Sequence, residues 1–161
     1  MVKKMIKKLL ITMCSCIFID QLIKIIVRIF VDLNDSYVII NNFFYLTRVH
    51  NLGAAWGILA GNRYFLIFVA LIFIIIFYFI FIKDKKITNF EAISYGILLG
   101  GIIGNLIDRL IYGYVIDYLD FYPFGYNYPV FNFADMCIVI SIVLVVIKMI
   151  KDDHNGKVYN K

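Results

Sequence analysis

Two aspartates lie where long apolar runs of this chain meet polar sequence. Asp117 stands in "VIDYLD", after one apolar run, and Asp135 stands in "NFADM", just before another. Two carboxyl groups that come close together do not both ionise readily, so one of them keeps a proton. Such a pair offers a base that activates water and an acid that protonates a leaving group, as in aspartic proteases. The same pair also suits a divalent-metal site, with Asp120 and His50 nearby in the loops, or a proton-carrying pair in a transporter.

A first set of polar residues interrupts the apolar run near the N-terminus. Asp20 and Lys24 are four residues apart, so they lie on one face of a helix and can form an ion pair. Ionisable residues inside an apolar run are candidates for function. Here the interpretation that we favour is structural, because a neutralised pair can anchor its helix to neighbouring helices.

A second set lies in "GGIIGNLIDR", residues 100 to 109. Asn105, Asp108 and Arg109 stand at positions i, i+3 and i+4 and share a helix face. Gly100 and Gly104, four residues apart, let a neighbouring helix approach closely. We expect a lined cleft in which Arg109 holds a peptide carbonyl or a carboxylate. The alternative is that Arg109 merely neutralises Asp108.

The apolar runs themselves indicate a membrane protein. The chain has 161 residues, of which 63% are hydrophobic. About 20 apolar residues are needed to cross roughly 30 Å of hydrocarbon as a helix. Four runs qualify, and we expect an all-α membrane protein that forms a single polytopic domain. The predicted spans cover about residues 9–30, 64–82, 92–112 and 133–150.

The lysines predict how these spans are oriented. The net charge is +5, but the lysines cluster at the ends of the runs, which indicates membrane topology and no nucleic-acid partner. The flanking lysines are Lys3, Lys4, Lys7 and Lys8, then Lys83, Lys85 and Lys86, then Lys148, Lys151, Lys157 and Lys161. By the positive-inside rule both termini are cytoplasmic, and the loops at 31–63 and 113–132 lie outside. The first helix is expected to be an uncleaved span.

The outer loops carry local structure of their own. Apolar and aromatic stretches on either side of Asn41 and Asn42 predict a small β-hairpin. Asn51 is a possible cap of a short interfacial helix that includes Trp56. The aromatic segment 121–131 contains Pro123, Gly125 and Pro129 and predicts a loop at headgroup depth.

Five short motifs in this order resemble the lipoprotein signal peptidases, also called signal peptidase II. They are "DQLIK" (20–24), "NLGAAWG" (51–57), "GNLIDR" (104–109), "VIDYLD" (115–120) and "FNFAD" (131–135). The resemblance implies a four-helix membrane aspartyl endopeptidase. Such an enzyme removes the signal peptide from diacylglyceryl-modified prolipoproteins and cuts before the lipidated cysteine at the outer membrane face.

The resemblance also implies roles for individual residues. Asp117 and Asp135 would be the catalytic pair, and Asp20 with Lys24 a structural polar pair. The supporting or substrate-binding residues would be Asn51, Asn105, Asp108, Arg109 and Asn132. No metal and no cofactor is expected. The implied location is the bacterial cytoplasmic membrane, and the implied partners are diacylglyceryl-prolipoprotein substrates, membrane lipid and globomycin-type inhibitors.

Overall fold

A computed structural model of the chain describes residues 2–54 and 58–154. Four helices are joined by a three-stranded sheet. The elements in chain order are α1 (Val2–Phe30), β1 (Ser36–Ile40), β2 (Phe44–Asn51), α2 (Arg63–Phe77), α3 (Asn89–Ile111), β3 (Val115–Phe121) and α4 (Phe133–His154). A π-helical turn, Tyr78–Ile82, continues α2, and a 3₁₀ turn, Pro123–Gly125, follows β3.

Within the described residues, four helices are long and apolar enough to cross a membrane. They are α1, α2 with its π-helical turn, α3 and α4, which confirms the predicted fold class and its four spans. α1 and α4 extend further than predicted at their lysine-rich ends, to Val2 and His154, whereas the second span ends at Ile82 as predicted. At the start of α3, Thr88 and Glu91 form a reciprocal capping box that fixes where the helix begins.

Glycines bring α3 close to its neighbours. A Cβ atom added at Gly100 would lie 2.6 Å from Cys16 Cβ of α1, and one at Gly104 would lie 2.6 Å from the Asp20 carboxylate. On the next face, a Cβ at Gly101 would lie 2.5 Å from the Ala134 carbonyl oxygen of α4. These distances are too short for any side chain, so the glycines set the separation of α1, α3 and α4.

The predicted hairpin is present. β1 and β2 pair antiparallel across a turn in which Asn42 has a positive φ of 56°, a conformation that asparagine tolerates. The sequence did not predict that β3 pairs antiparallel with β2, with Val49 opposite Asp117. β3 lacks the usual alternation because Val115 through Tyr118 are all buried. The sheet therefore joins a loop that precedes α2 to a segment that follows α3.

Two other loop predictions have different outcomes. The predicted interfacial helix includes Ala55, Trp56 and Gly57, which lie outside the described residues; Asn51 itself ends β2. The aromatic segment 121–131 is a loop with one 3₁₀ turn, and Phe124 at its tip is fully exposed. An exposed aromatic tip agrees with a loop that contacts lipid headgroups.

Candidate active site

The two aspartates predicted to act together line the same cavity. Asp117 lies in β3 and Asp135 in the first turn of α4. The cavity has a volume of about 440 Å³, and its lining includes Ala70 of α2, Ile102 of α3 and Val139 of α4. Asn51, Asn105, Arg109 and the segment from Tyr128 to Phe131 also line it. It is of a size that holds a small ligand or a few residues of peptide.

Asp117 is held by two amide side chains. Asn51 Nδ2 donates to its Oδ2 at 2.8 Å, and Asn132 Nδ2 donates to its Oδ1 at 2.6 Å. Asn51 reaches this position because β2 pairs with β3. Burial raises the pKa of Asp117 to about 7, and the nearby Asp135 carboxylate adds to the rise. Asp117 is thus a carboxyl group that carries a proton at neutral pH for a substantial fraction of the time.

Asp135 is held by the start of its own helix. Asn132 and Asp135 cap each other: the Asp135 N–H donates to Asn132 Oδ1 at 3.0 Å, and the Asn132 N–H donates to Asp135 Oδ2 at 3.1 Å. Asn105 Nδ2 donates to the other oxygen, Oδ1, at 2.8 Å. These donors and the positive end of the helix dipole both favour the ionised carboxylate.

Lys24 fixes the orientation of the Asn105 amide, and Asn105 in turn accepts from Asn132. Lys24 Nζ donates to Asn105 Oδ1 at 2.9 Å, and Asn132 Nδ2 donates to the same oxygen at 3.1 Å. An ammonium has only donors, so the Asn105 oxygen must face Lys24. The Asn105 nitrogen is therefore directed at Asp135.

Lys24 is also the centre of a buried ionic cluster. Its Nζ lies 2.9 Å from the carboxylates of both Asp20 and Asp108, and all three side chains are at most 2% exposed. Backbone N–H groups of Ala134 and Ile116 donate to Asp20 and Asp108, at 3.1 Å each. The predicted Asp20–Lys24 pair is present, but it is part of a larger cluster that ties α1 to α3, β3 and α4.

Asp108 and Arg109 point to different places. Asp108 pairs with Lys24, away from the cavity, whereas Arg109 lines the cavity. Arg109 Nη2 donates to the Gly53 carbonyl at 2.8 Å and Nη1 to the Asn105 carbonyl at 3.4 Å. Asn105, Asp108 and Arg109 were predicted to share one face. In the structure Asn105 and Arg109 line the cavity, whereas Asp108 binds Lys24 of α1.

Two residues that sequence reasoning did not select also contribute. Gln21 Nε2 lies within 3.2 Å of both Asp20 and Asp108 and so bridges the two carboxylates. The Tyr118 hydroxyl accepts the Phe133 N–H at 3.1 Å, which places β3 against the start of α4. The signal for Gln21 was its position beside Asp20 in an apolar run. Tyr118 carries no comparable signal.

Comparisons with known proteins identify the family. The family described as Signal peptidase (SPase) II matches residues 12–151. The lipoprotein signal peptidases of Staphylococcus aureus strains JH9 and Newman are each 38% identical over 141 residues, covering 88% of this chain and 86% of the relative. A solved bacterial membrane enzyme structure superposes with a TM-score of 0.83 at 35% identity and covers 91% of this chain and 90% of its own. A second one has a TM-score of 0.79 at 35% identity, with 89% and 93% covered. The chain belongs to the signal peptidase II family of aspartic peptidases.

Proposed function

We propose that this chain removes the signal peptide from diacylglyceryl-modified prolipoproteins and that Asp117 and Asp135 are its catalytic pair. One observation carries the assignment: Asn132 holds Asp117 with its side chain and Asp135 with its backbone, on one cavity. A single residue thus fixes both carboxyl groups relative to each other. Membership of a lipoprotein signal peptidase family supports the substrate.

The two aspartates have different protonation states before reaction. Asp117 carries the proton, because burial raises its pKa to about 7. We assign the role of base to Asp135, whose carboxylate accepts from a backbone N–H and an amide at a helix N-terminus. This division provides one base and one acid in the same cavity.

The reaction then follows from the positions of these groups. A water molecule attacks the carbonyl carbon of the scissile peptide while Asp135 takes the water's proton. Asp117 donates its proton to the carbonyl oxygen, which gives a neutral tetrahedral intermediate. When the carbon–nitrogen bond breaks, the leaving nitrogen takes the proton held by Asp135, and the oxygen's proton returns to Asp117. No proton is gained or lost by the pair over the cycle.

Some supporting residues contact the aspartates or the substrate, and others hold the helices behind them. Asn51, Asn105 and Asn132 direct their amide donors at the carboxylates, so we assign them to positioning the pair. Arg109 fixes the loop that follows β2 through Gly53 and keeps donors available for substrate backbone. Asp20, Lys24 and Asp108 brace the helices behind the site.

The shape of the surroundings suggests where the substrate lies. The cavity that holds both aspartates receives the peptide around the cleavage position. Beside it is a groove of about 460 Å³ that shares Asp135 and is otherwise lined by apolar and aromatic residues: Phe43, Phe121, Pro123, Tyr128, Phe131, Met136, Val139 and Ile140. This groove suits acyl chains, so we assign the diacylglyceryl group to it. Globomycin-type cyclic peptides would bind in the same two spaces and compete with substrate.

The lysines support an orientation with the site at the outer face of the bacterial cytoplasmic membrane. The aspartates lie near the ends of α3 and α4 that face the sheet, and the lysines in the first turns of α1, after α2 and in the last turns of α4 lie at the opposite end. Both termini are then cytoplasmic. The lipidated cysteine of a substrate, anchored in the outer leaflet, reaches the pair without crossing the membrane.

The test is cleavage of a diacylglyceryl-modified precursor by the full chain in detergent. Asp117→Asn and Asp135→Asn each keep the shape but lose the acid–base function, so turnover should fall by about 10²–10⁴-fold. The matched control is Asp120→Asn, a buried aspartate on the same strand that accepts from Thr47 and lies off the cavity. It should retain most of the activity.

Two results would contradict the proposal. One is retention of more than about a tenth of the activity by either dyad variant, which acid–base catalysis does not allow. The other is loss of activity in chelator with recovery on adding Zn²⁺ or Mg²⁺, because a carboxylate-activated water needs no metal.

A further inference from the structure

A second cavity lies at the lysine-rich end of the molecule, far along α3 from the aspartates. It has a volume of about 680 Å³, larger than the cavity at the active site. Its walls come from the π-helical turn after α2, the connection to α3, the first turns of α3 and the last turns of α4. The proposed peptidase reaction makes no use of it.

One polar group inside this cavity has no partner. Ser94 is 1% exposed and lines the cavity, and its hydroxyl makes no hydrogen bond to any residue in the part of the chain that the structure describes. A buried hydroxyl without a partner costs free energy. Ser141 shows the usual solution, since its hydroxyl donates to the Ile138 carbonyl at 2.8 Å. Ser94 is therefore a buried donor that residues 2–54 and 58–154 leave without an acceptor.

Two lysines at the cavity can contact an anionic group. Six charged residues line it: Asp84, Lys85, Lys86, Glu91, Lys148 and Asp152. Glu91 is engaged by the Thr88 N–H in the capping box, and Asp152 is paired with Lys148. Lys85 and Lys86 are exposed and form no ion pair within residues 2–54 and 58–154. The lining thus carries three lysines and three carboxylates and has no net charge, but Lys85 and Lys86 are the lining cations left outside the Lys148–Asp152 ion pair and so can contact an anionic group.

The rest of the lining is apolar and faces the bilayer. Ile80, Phe90 and Met149 are 54%, 41% and 60% exposed, and each lies on a membrane-spanning element. An occupant that uses this surface must have hydrocarbon as well as an anionic group. A free phosphate or a nucleotide has no hydrocarbon to pack against these walls.

We propose that this cavity binds an anionic phospholipid from the leaflet at the lysine-rich end. The phosphodiester lies between Lys85, Lys86 and the Ser94 hydroxyl, and the acyl chains run along Ile80, Phe90 and Met149. Lysine side chains at the ends of membrane helices bind anionic lipid headgroups in this manner. The inference is independent of the catalytic assignment, because none of these residues touches the active-site cavity.

The experiment measures lipid binding to the full chain in detergent by native mass spectrometry. The probes are dioleoylphosphatidylglycerol, dioleoylphosphatidylcholine, and glycerophosphoglycerol, which has the headgroup without the chains. The anionic lipid should bind, and the other two should not compete with it. Replacing both Lys85 and Lys86 by Gln should weaken binding about 30-fold, since each lysine near a membrane surface contributes roughly a fivefold factor. Ser94→Ala should weaken it about tenfold, the usual effect of one hydrogen bond to a charged group.

The matched control replaces Lys3 and Lys4 by Gln. These lysines are exposed, and Lys8 on the same helix donates to Asn89 at the start of α3, so they lie at the same end of the molecule. The control makes the same change in charge off the cavity and should leave binding unchanged.

Equal weakening by both double variants would overturn the proposal in favour of general electrostatic attraction. Equal binding of phosphatidylcholine, or competition by glycerophosphoglycerol, would overturn it as well. Lipid-free thermal midpoints within about 2 °C of the wild type would show that the variants are folded.

Discussion

The structure makes a strong prediction for Lys24→Met. Within the described residues Lys24 is the cation of the buried cluster: its Nζ lies 2.9 Å from the carboxylates of Asp20 and Asp108. Methionine fills similar space without charge or donors. The variant therefore leaves two buried carboxylates facing each other. Their remaining donors are the Gln21 amide and two backbone N–H groups.

The magnitude follows from the burial of the cluster. Removing one partner of a buried ion pair costs about 3–5 kcal/mol, because the remaining charge is left uncompensated. For a chain of this size each kcal/mol lowers the thermal midpoint by roughly 2–4 °C. Lys24→Met should therefore lower the midpoint in detergent by roughly 6–20 °C. Asp20→Asn in the same background should recover part of this loss. A complete recovery is not expected, since Asp108 remains charged.

The same change should also reach the active site. Lys24 donates to Asn105 Oδ1, and this bond directs the Asn105 nitrogen at Asp135. Without Lys24 the amide can turn over and present its oxygen to the carboxylate. Specific activity per folded molecule should fall, and Asp20→Asn should not restore it, because that substitution relieves charge but returns no donor to Asn105.

The assays are thermal unfolding in detergent and cleavage of a lipidated precursor, both on the same preparations. Lys7→Met is the control, since Lys7 is an exposed lysine on the same helix. It should change the free energy of unfolding by less than about 0.5 kcal/mol. A midpoint for Lys24→Met within about 2 °C of wild type would refute the energetic argument. Activity restored in full by Asp20→Asn would refute the role assigned to Asn105.

Three further predictions concern the cavity residue Arg109, the proton on Asp117 and the orientation. Arg109→Lys keeps the charge but cannot reach both the Gly53 and Asn105 carbonyls, so kcat/KM should fall about tenfold while the thermal midpoint stays unchanged. A lowered thermal midpoint with unchanged kcat/KM would make Arg109 a scaffold residue. The pKa of Asp117 is raised from 3.8 to about 7, so the stability that Asp117 contributes is complete below about pH 4 and is lost as pH rises through about 7. Thermal midpoints of the wild type should therefore fall over this range relative to those of Asp117→Asn, and kcat/KM should decline above about pH 7. A midpoint or a kcat/KM that does not change with pH would contradict this prediction. Reporter fusions at Lys86 and at the C-terminus should be cytoplasmic and those near Asn41 and Tyr126 external, whereas an external signal at Lys86 would overturn the orientation.

The sequence was sufficient for the helices and insufficient for the sheet. A membrane span is a long apolar run, and each of the four could be located from composition alone. The hairpin was predictable because Asn41 and Asn42 interrupt two stretches rich in β-branched and aromatic residues. β3 was not, because Val115, Ile116, Asp117 and Tyr118 are all buried and give no alternating pattern. Its partner strand also lies more than sixty positions earlier in the chain.

The sequence identified residues of the candidate site, but not their contacts with one another. Sequence identified Asp117 and Asp135 because carboxylates at the ends of apolar runs are costly. Spacing alone suggested that Asp108 and Arg109 act together, whereas the structure pairs Asp108 with Lys24 of another helix. Adjacent residues on a helix point about 100° apart, so their partners depend on which helices pack on each side. That information is tertiary and is absent from one motif.

The pairing of β2 with β3 has a consequence for how the enzyme is made. β2 leaves the ribosome before α2, but its partner strand, with Asp117, is synthesised only after α3, and Asp135 follows later still. Asp20 and Lys24 are one turn apart, so α1 can enter the bilayer already neutralised, long before Asp108 exists. The two carboxylates that we propose to be catalytic therefore cannot meet until α4 has been synthesised and inserted. A nascent chain that stops before α4 holds Asp117 without Asp135, so the proposed reaction would require the last helix.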